Sequence, residues 1–253
     1  MTIPLYSRDI NFEAIINCRD LGGYQTCDGN TVAWRRLFRS GDLRHMTSND
    51  SHRLKDEIGL VSVLDLRSSF EIKQEDIGLV QETGFKYYNV SLITDGDDRK
   101  ASRRRYSDFT SMGEFYLYLI HQDEVGPLII QAFDFISRPE NHPLLFHCSM
   151  GKDRTGIIAA MLLSVLGVAN DDIISDYILS APYMNLFVND MNKRLKPRED
   201  SSGLPDYFWE AVPESMSLFL SSIEKDFGSA KGYLETNGAE PSLFERLEKA
   251  LLM

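Results

Sequence analysis

Leu144-Leu145-Phe146-His147-Cys148-Ser149-Met150-Gly151-Lys152-Asp153-Arg154-Thr155-Gly156 passes from an apolar run, through a cysteine and an arginine separated by five residues, into a second apolar run. Leu144 to His147, introduced by Pro143, reads as a buried strand. The pattern from Thr155 through Leu166 reads as a helix, with Gly167 supplying the C-terminal cap. A loop that enters a helix presents unpaired backbone N–H groups and the positive end of the helix dipole, so it can cradle a tetrahedral oxyanion. Ser149, Met150, Gly151, Lys152, Asp153 and Arg154 are therefore the expected anion-binding residues. Gly151 permits the backbone turn, and Arg154 can set its planar fork against two oxygens. The same field favours a thiolate at Cys148, since thiols at helix N-termini near cations ionise with pKa values of ~3.5–7.5. A nucleophile and the holder of its electrophile thus share one loop. It is not a nucleotide-binding loop, because Asp153 stands where that pattern needs Ser or Thr and Phe146 where it needs the first glycine.

Working outward, Gly59 to Leu66 is a short apolar run rich in β-branched residues and reads as a second buried strand, while Lys86 to Ile93 alternates as a strand does. Phe115 to Ile120 and Val125 to Ile136 read as helices. Asn170-Asp171-Asp172 reads as a helix start capped by the Asn, with helix continuing to about Lys196. After a loop from Lys196 to Pro205 the chain is helical again, ending in Pro241 to Met253 with Leu243, Leu247 and Leu251 on one stripe. Strands separated by helices predict an α/β fold, a mostly parallel central sheet flanked by helices, with additional C-terminal helices. Residues 1–253 read as one domain, with a helical lid or appendage expected within 181–253.

Composition narrows the function classes. With 27 Lys+Arg against 38 Asp+Glu and a net charge of −11, the chain does not suit general nucleic-acid binding, which needs a basic face. At 253 residues it can bury a core without a disulfide or metal staple. Cys18, Cys27 and Cys148 lack CxxC spacing, which fits a reducing compartment and excludes a conventional zinc site. No cofactor or metal is expected. The Met1 to Arg8 stretch does not read as a secretory signal, and Ile157 to Ala169 is too short and interrupted for a membrane helix. A cytoplasmic location is expected, with release by an unsignalled route left open.

The loop resembles the HCx5R(S/T) signature of the cysteine-dependent protein tyrosine phosphatases. Its Gly-Lys-Asp-Arg-Thr-Gly form is similar to the bacterial tyrosine phosphatase-like enzymes that act on phosphotyrosine, phosphoserine/threonine and phosphoinositides. The resemblance extends to Asn17 to Tyr24, Phe38 to Leu43, Asp65 to Ser68 with Glu71, Tyr177 to Ser180, and the tail Phe227-Gly228-Ser229 with Gly232-Tyr233-Leu234. It implies a compact α/β phosphatase acting on phosphorylated protein or phosphoinositide. It further implies that Cys148 is the nucleophile forming a phosphocysteine and that Arg154 binds the equatorial oxygens. Thr155 is either a donor to the departing thiolate or an ordinary first-turn residue. His147 either orients the loop or is a satisfied core histidine.

The proton donor is less direct. Neither Trp34 nor Trp209 is followed by the Pro-Asp that many of these enzymes use. The family variant points to Asp153, tuned by Lys152 and Arg154, against which stands a structural anion holding an arginine. Asp65, at a strand end, comes next, and the polar run with Asp95, Asp97 and Asp98 third. Arg99 to Arg105 places five cations in seven residues, either a substrate-facing patch that acts with Lys152 on multiply phosphorylated ligands or a solvated surface. Arg19-Asp20 and Arg67 either line the site or, the stronger reading, form a buried ion pair bracing the sheet. Two rival readings are a sulfur-transfer or arsenate-reducing enzyme, which also uses a cysteine in an anion loop, and an inactive phosphate-binding module. The oligomeric state has no signature in the sequence.

Overall fold

A computed structural model describes residues 7–93, 106–184 and 204–253. Its centre is a five-stranded sheet of β1 (Arg19–Asp20), β2 (Leu37–Ser40), β3 (Ser62–Asp65), β4 (Lys86–Asn89) and β5 (Leu144–His147), in the order β1-β2-β5-β3-β4. β1 pairs antiparallel with β2, and every other pairing is parallel. Both faces are covered, so the central strands β2, β5 and β3 are buried along their whole length, and the alternation of their apolar residues sorts them between two cores. Leu37, Leu64, Leu144 and Phe146 enter the larger core, whereas Phe38, Val63 and Leu145 enter the smaller one.

The smaller core is closed by Leu54 and Ile58, which follow α1 (Ser48–His52), and by Val80 of α3 (Val80–Thr83). α2 (Ser69–Glu75) buries no residue fully and is defined by its capping box, Ser68 with Glu71. The larger core is covered by α4 (Met112–Ile120), α5 (Val125–Ile136), α6 (Asp153–Val165), α7 (Asn170–Ile178), α8 (Pro213–Phe227), α9 (Ala230–Thr236) and α10 (Pro241–Leu251). α6 is buried without interruption from Arg154 to Leu163, as expected of a helix apolar all round. α8 packs on α4 and α7, α9 on α6, and α10 on α5. Leu243, Leu247 and Leu251 are all buried, so the α10 stripe is core.

Four expectations need adjusting. The strand from Lys86 stops at Asn89, where its pairing with β3 ends. The helix expected from Thr155 starts two residues earlier, at Asp153. Asn170 is not a cap, because Ala169 holds the extended N-cap conformation and Asn170 is already helical; Asp171 and Asp172 still occupy the favourable first turn. The helical continuation expected to about Lys196 breaks at a turn, Leu179–Ser180, after α7, resumes over residues 181–184 and then leaves the described residues. Among those residues no helix is long and apolar enough to cross a membrane.

Register positions the site. Ser40 is opposite His147, which is opposite Asp65, which is opposite Asn89. Four parallel strands therefore finish in one line, and the loops after them emerge at the carboxyl edge where open α/β sheets bind ligands.

Candidate active site

Five residues, Cys148 to Lys152, turn the chain from β5 into α6. Gly151 makes the turn possible. Its φ is +69°, and a Cβ there would lie 2.4 Å from the Ser40 carbonyl oxygen. The turn's carbonyls are all directed at protein donors. Cys148 O accepts from His147 Nδ1 at 3.1 Å, Ser149 O from the Asp42 N–H at 3.1 Å, and Met150 O from Asn17 Nδ2 at 3.0 Å. Gly151 O takes both Asn17 Nδ2 at 3.1 Å and Arg39 Nη2 at 2.8 Å. By contrast, among the described residues no N–H from Ser149 to Arg154 donates to a backbone carbonyl outside the helix ladder. A run of amides with its carbonyls tied elsewhere is the arrangement that receives an anion.

Arg154 is held in place by Glu71. Nη1 donates to Oε2 at 2.5 Å, Nη2 to Oε1 at 2.8 Å, and Nη2 also to Ser149 Oγ at 3.2 Å. Ser149 Oγ itself donates to Glu71 Oε1 at 2.6 Å. Burial would raise the Glu71 carboxyl, but the Arg154 charge and these hydrogen bonds outweigh it and hold it well below the usual range. Three of its five N–H donors are engaged by Glu71 and Ser149, and among the described residues the other two have no acceptor. Cys148 is buried at the end of β5. A negative charge on its sulfur would favour the charged forms of Arg154, Lys152 and Arg39, all of which are close enough to feel it. Thr155 is fully buried, and its hydroxyl has no hydrogen-bond partner among the described residues.

Lys152 is not a second anion holder. Its ammonium is fully buried and donates to the carbonyls of Phe208 at 2.5 Å and Glu210 at 2.8 Å, and it lies 3.4 Å from Asp153 Oδ1. Three donors meet three acceptors, so nothing is left for an adjacent phosphate. Asp153 keeps most of its side chain buried and accepts from Tyr116 Oη at 2.5 Å on Oδ1. Asp153 is not the anion of an arginine, since Glu71 fills that place.

Asp65 lies beside the site as an acceptor. It takes three donors of Arg67 and the Tyr87 hydroxyl, and its Oδ2 is 3.8 Å from His147 Nε2. Although burial opposes it, the charges of His147 and Arg67 lower its pKa, so a carboxylate expected as an alternative proton donor is stabilised as an anion. Arg67 thus braces the sheet as expected. Arg19 does too, but its partner is Asp176 and not Asp20. Asp176 Oδ1 pairs with Arg19 Nε at 2.9 Å and Oδ2 with Arg39 Nη1 at 2.5 Å, while Asp20 receives the backbone N–H groups of Gly22 and Arg35. Asp95, Asp97, Asp98 and Arg99 to Arg105 lie outside the described residues.

Sequence reasoning did not single out Asn17, Arg39 or Glu71 as parts of the loop's support. Glu71 had a local signal, the Ser68-x-x-Glu71 capping box, which fixes it at the start of α2. Asn17 and Arg39 act over 133 and 112 residues of chain and had none.

A tyrosine phosphatase family model matches residues 10–253. A tyrosine-protein phosphatase of Nostoc commune is 27% identical over 237 residues, covering 89% of this chain and 77% of its own. The triple specificity protein phosphatase PtpB of Mycobacterium tuberculosis is 24% identical over 253 residues, covering 86% and 91% respectively. Among solved structures, the core catalytic domain of the PP-IP phosphatase SIW14 from S. cerevisiae aligns with a TM-score of 0.40 at 19% identity, over 66% of this chain and 84% of that one.

Proposed function

This chain belongs to the tyrosine phosphatase family and is a phosphatase, and on that premise we propose that it hydrolyses phosphomonoesters, phosphotyrosine in proteins first, through a phosphocysteine at Cys148. The observation that carries this reading is the division of the Cys148 to Arg154 loop into carbonyls tied to protein donors and amides left uncommitted. The amides and Arg154 hold the phosphoryl oxygens, whose charge redistributes as the P–O bond to the leaving group lengthens. Cys148 Sγ attacks phosphorus, and Asp153 gives its proton to the departing oxygen. Water then attacks the phosphocysteine while Asp153 takes a proton from it, releasing phosphate and the thiolate, to which Thr155 can donate. His147 orients the Cys148 carbonyl, with Asp65 behind it.

The name of the M. tuberculosis relative supports a range beyond phosphotyrosine. Phosphoserine, phosphothreonine and phosphoinositide esters are the classes proposed. A nucleophilic thiol that must stay reduced supports a cytoplasmic setting.

Replacing Cys148 by Ser is the direct test. Turnover of p-nitrophenyl phosphate should vanish while affinity for phosphate or vanadate survives, because the amides and Arg154 remain; Arg154→Met should damage both. Substantial turnover by the Cys148→Ser enzyme would overturn the covalent route.

A further inference from the structure

Behind Asp153 stands a pair of tyrosines that the reaction as written does not use. Tyr116 is fully buried on α4, and its hydroxyl lies 2.5 Å from Asp153 Oδ1 and 2.8 Å from the hydroxyl of Tyr177 on α7. A phenol has one proton to give. Oδ1 also faces the Lys152 ammonium at 3.4 Å, which can only donate, so Oδ1 is an acceptor whether or not Oδ2 carries a proton; Tyr116 donates to it, and Tyr177 must therefore donate to Tyr116. The direction of the chain is fixed from Tyr177 through Tyr116 to Asp153. Three rings hold Tyr116 in its orientation. Tyr177 meets it edge-on at 6.2 Å between centroids, Phe219 of α8 does so at 6.1 Å, and Phe115 lies at 6.4 Å.

Room for Tyr177 is provided by Gly156 inside α6, where a Cβ would lie 3.3 Å from the Tyr177 ring. A glycine within a helix costs roughly 1 kcal/mol relative to alanine. A side chain at this position would press on the Tyr177 ring, so the glycine lets the ring sit close against α6.

We propose that Tyr116, backed by Tyr177, is a positioning residue that decides which oxygen of Asp153 carries the catalytic proton. Oδ1 faces the Tyr116 hydroxyl and, at 3.4 Å, the Lys152 ammonium. Two donors already directed at one oxygen exclude a third proton there, so the proton resides on Oδ2. The same contacts stop the carboxyl from rotating and exchanging its oxygens. As the leaving group departs, the proton passes from Oδ2 to its oxygen, and the negative charge left on the carboxylate is met by the Tyr116 hydrogen bond, which strengthens with that charge. In the second step the same oxygen recovers a proton from water. This inference rests on Asp153 as the proton donor, and its test separates the two claims.

The test compares p-nitrophenyl phosphate, whose leaving group needs little protonation, with an alkyl phosphate, whose leaving group needs it fully. Asp153→Asn alone should lower kcat for the alkyl ester by on the order of a hundredfold or more and for the aryl ester far less. Tyr116→Phe should show the same selectivity on a smaller scale, about tenfold for the alkyl ester, and Tyr177→Phe a weaker version of it. In the Asp153→Asn background, Tyr116→Phe should have no further selective effect. Equal losses on both esters from Asp153→Asn would remove Asp153 as the donor and the proposal with it. A selective Asp153→Asn combined with equal, multiplicative losses from Tyr116→Phe would leave the donor in place and overturn the positioning role alone. Tyr177→Phe, which leaves the Tyr116 contact intact, decides the matter if Tyr116→Phe does not fold.

Discussion

Asp176 touches no substrate in the proposed reaction, yet two arginines from β1 and β2 converge on it, and one of them, Arg39, also holds the Gly151 carbonyl. Burial would raise its pKa, but Arg19 and Arg39 overcome that and bring it down to about 2. Removing one member of such a buried cluster leaves charge uncompensated, and Asp176→Asn should cost about 3–5 kcal/mol. Because the folded pKa is depressed, this stabilisation is complete above the unfolded value of about 3.9 and is lost as pH falls from there towards 2. Denaturant titrations of the two proteins should therefore differ most near neutrality, and the gap should narrow by about 2–3 kcal/mol between pH 4 and pH 2. A gap that stays constant over that range would show that Asp176 acts through packing and not through its charge.

At the level of elements, the β5–α6 connection was legible because everything that defines it is local: an apolar strand, a glycine at the turn, an apolar helix, and Cys148 and Arg154 with five residues between them. Short helices were harder to read. α1 and α2 depend on the capping boxes Thr47-Asp50 and Ser68-Glu71 and carry too few apolar residues for a period to show. Lys152 was misread because its acceptors are backbone carbonyls of Phe208 and Glu210, and a carbonyl leaves no mark in a sequence. The short reach of the loop makes its geometry exacting. Gly151→Ala would need a positive φ and would press its methyl against Ser40 O, Ser40 C and Gly41 N, all within 2.6 Å of the Cβ. The strain falls on backbone that cannot swing aside, so stability should drop by about 1–3 kcal/mol. The amides should lose their convergence as well, lowering both phosphate affinity and kcat by at least tenfold, on the order expected for a misplaced oxyanion donor. Calorimetric phosphate binding measured beside turnover checks this, and unchanged phosphate affinity would mean that the amides are not the anion's main ligands.

On the scale of the whole molecule, charge and chemistry pull in opposite directions. The net charge is −11, while every proposed substrate is an anion. The cations around the loop do not offset this at long range, because each is matched nearby: Arg154 by Glu71, Arg19 and Arg39 by Asp176, Arg67 by Asp65, and Lys152 by Asp153. With Asp153 ionised, one positive charge is left over among them and a Cys148 thiolate cancels it; with Asp153 carrying its catalytic proton, a single positive charge remains beside the thiolate, too little to offset a net charge of −11. On the proposed reading, affinity for phosphate comes from short-range amides and fixed dipoles, and an approaching substrate first meets the field of an acidic protein. Raising salt from 0.01 M to 0.15 M shortens the screening length from ~30 Å to ~8 Å. For a phosphotyrosine peptide with acidic flanks, kcat/KM should rise several-fold over that range, on the order expected when long-range repulsion is removed. For a peptide with neutral flanks it should change little. The one dense run of cations in the chain, Arg99 to Arg105, sets the opposite outcome. If kcat/KM for the acidic peptide falls as salt is raised, and does so less after Arg103, Arg104 and Arg105 are replaced by alanine, a local attraction prevails over the net charge and the enzyme gathers acidic substrates in spite of it.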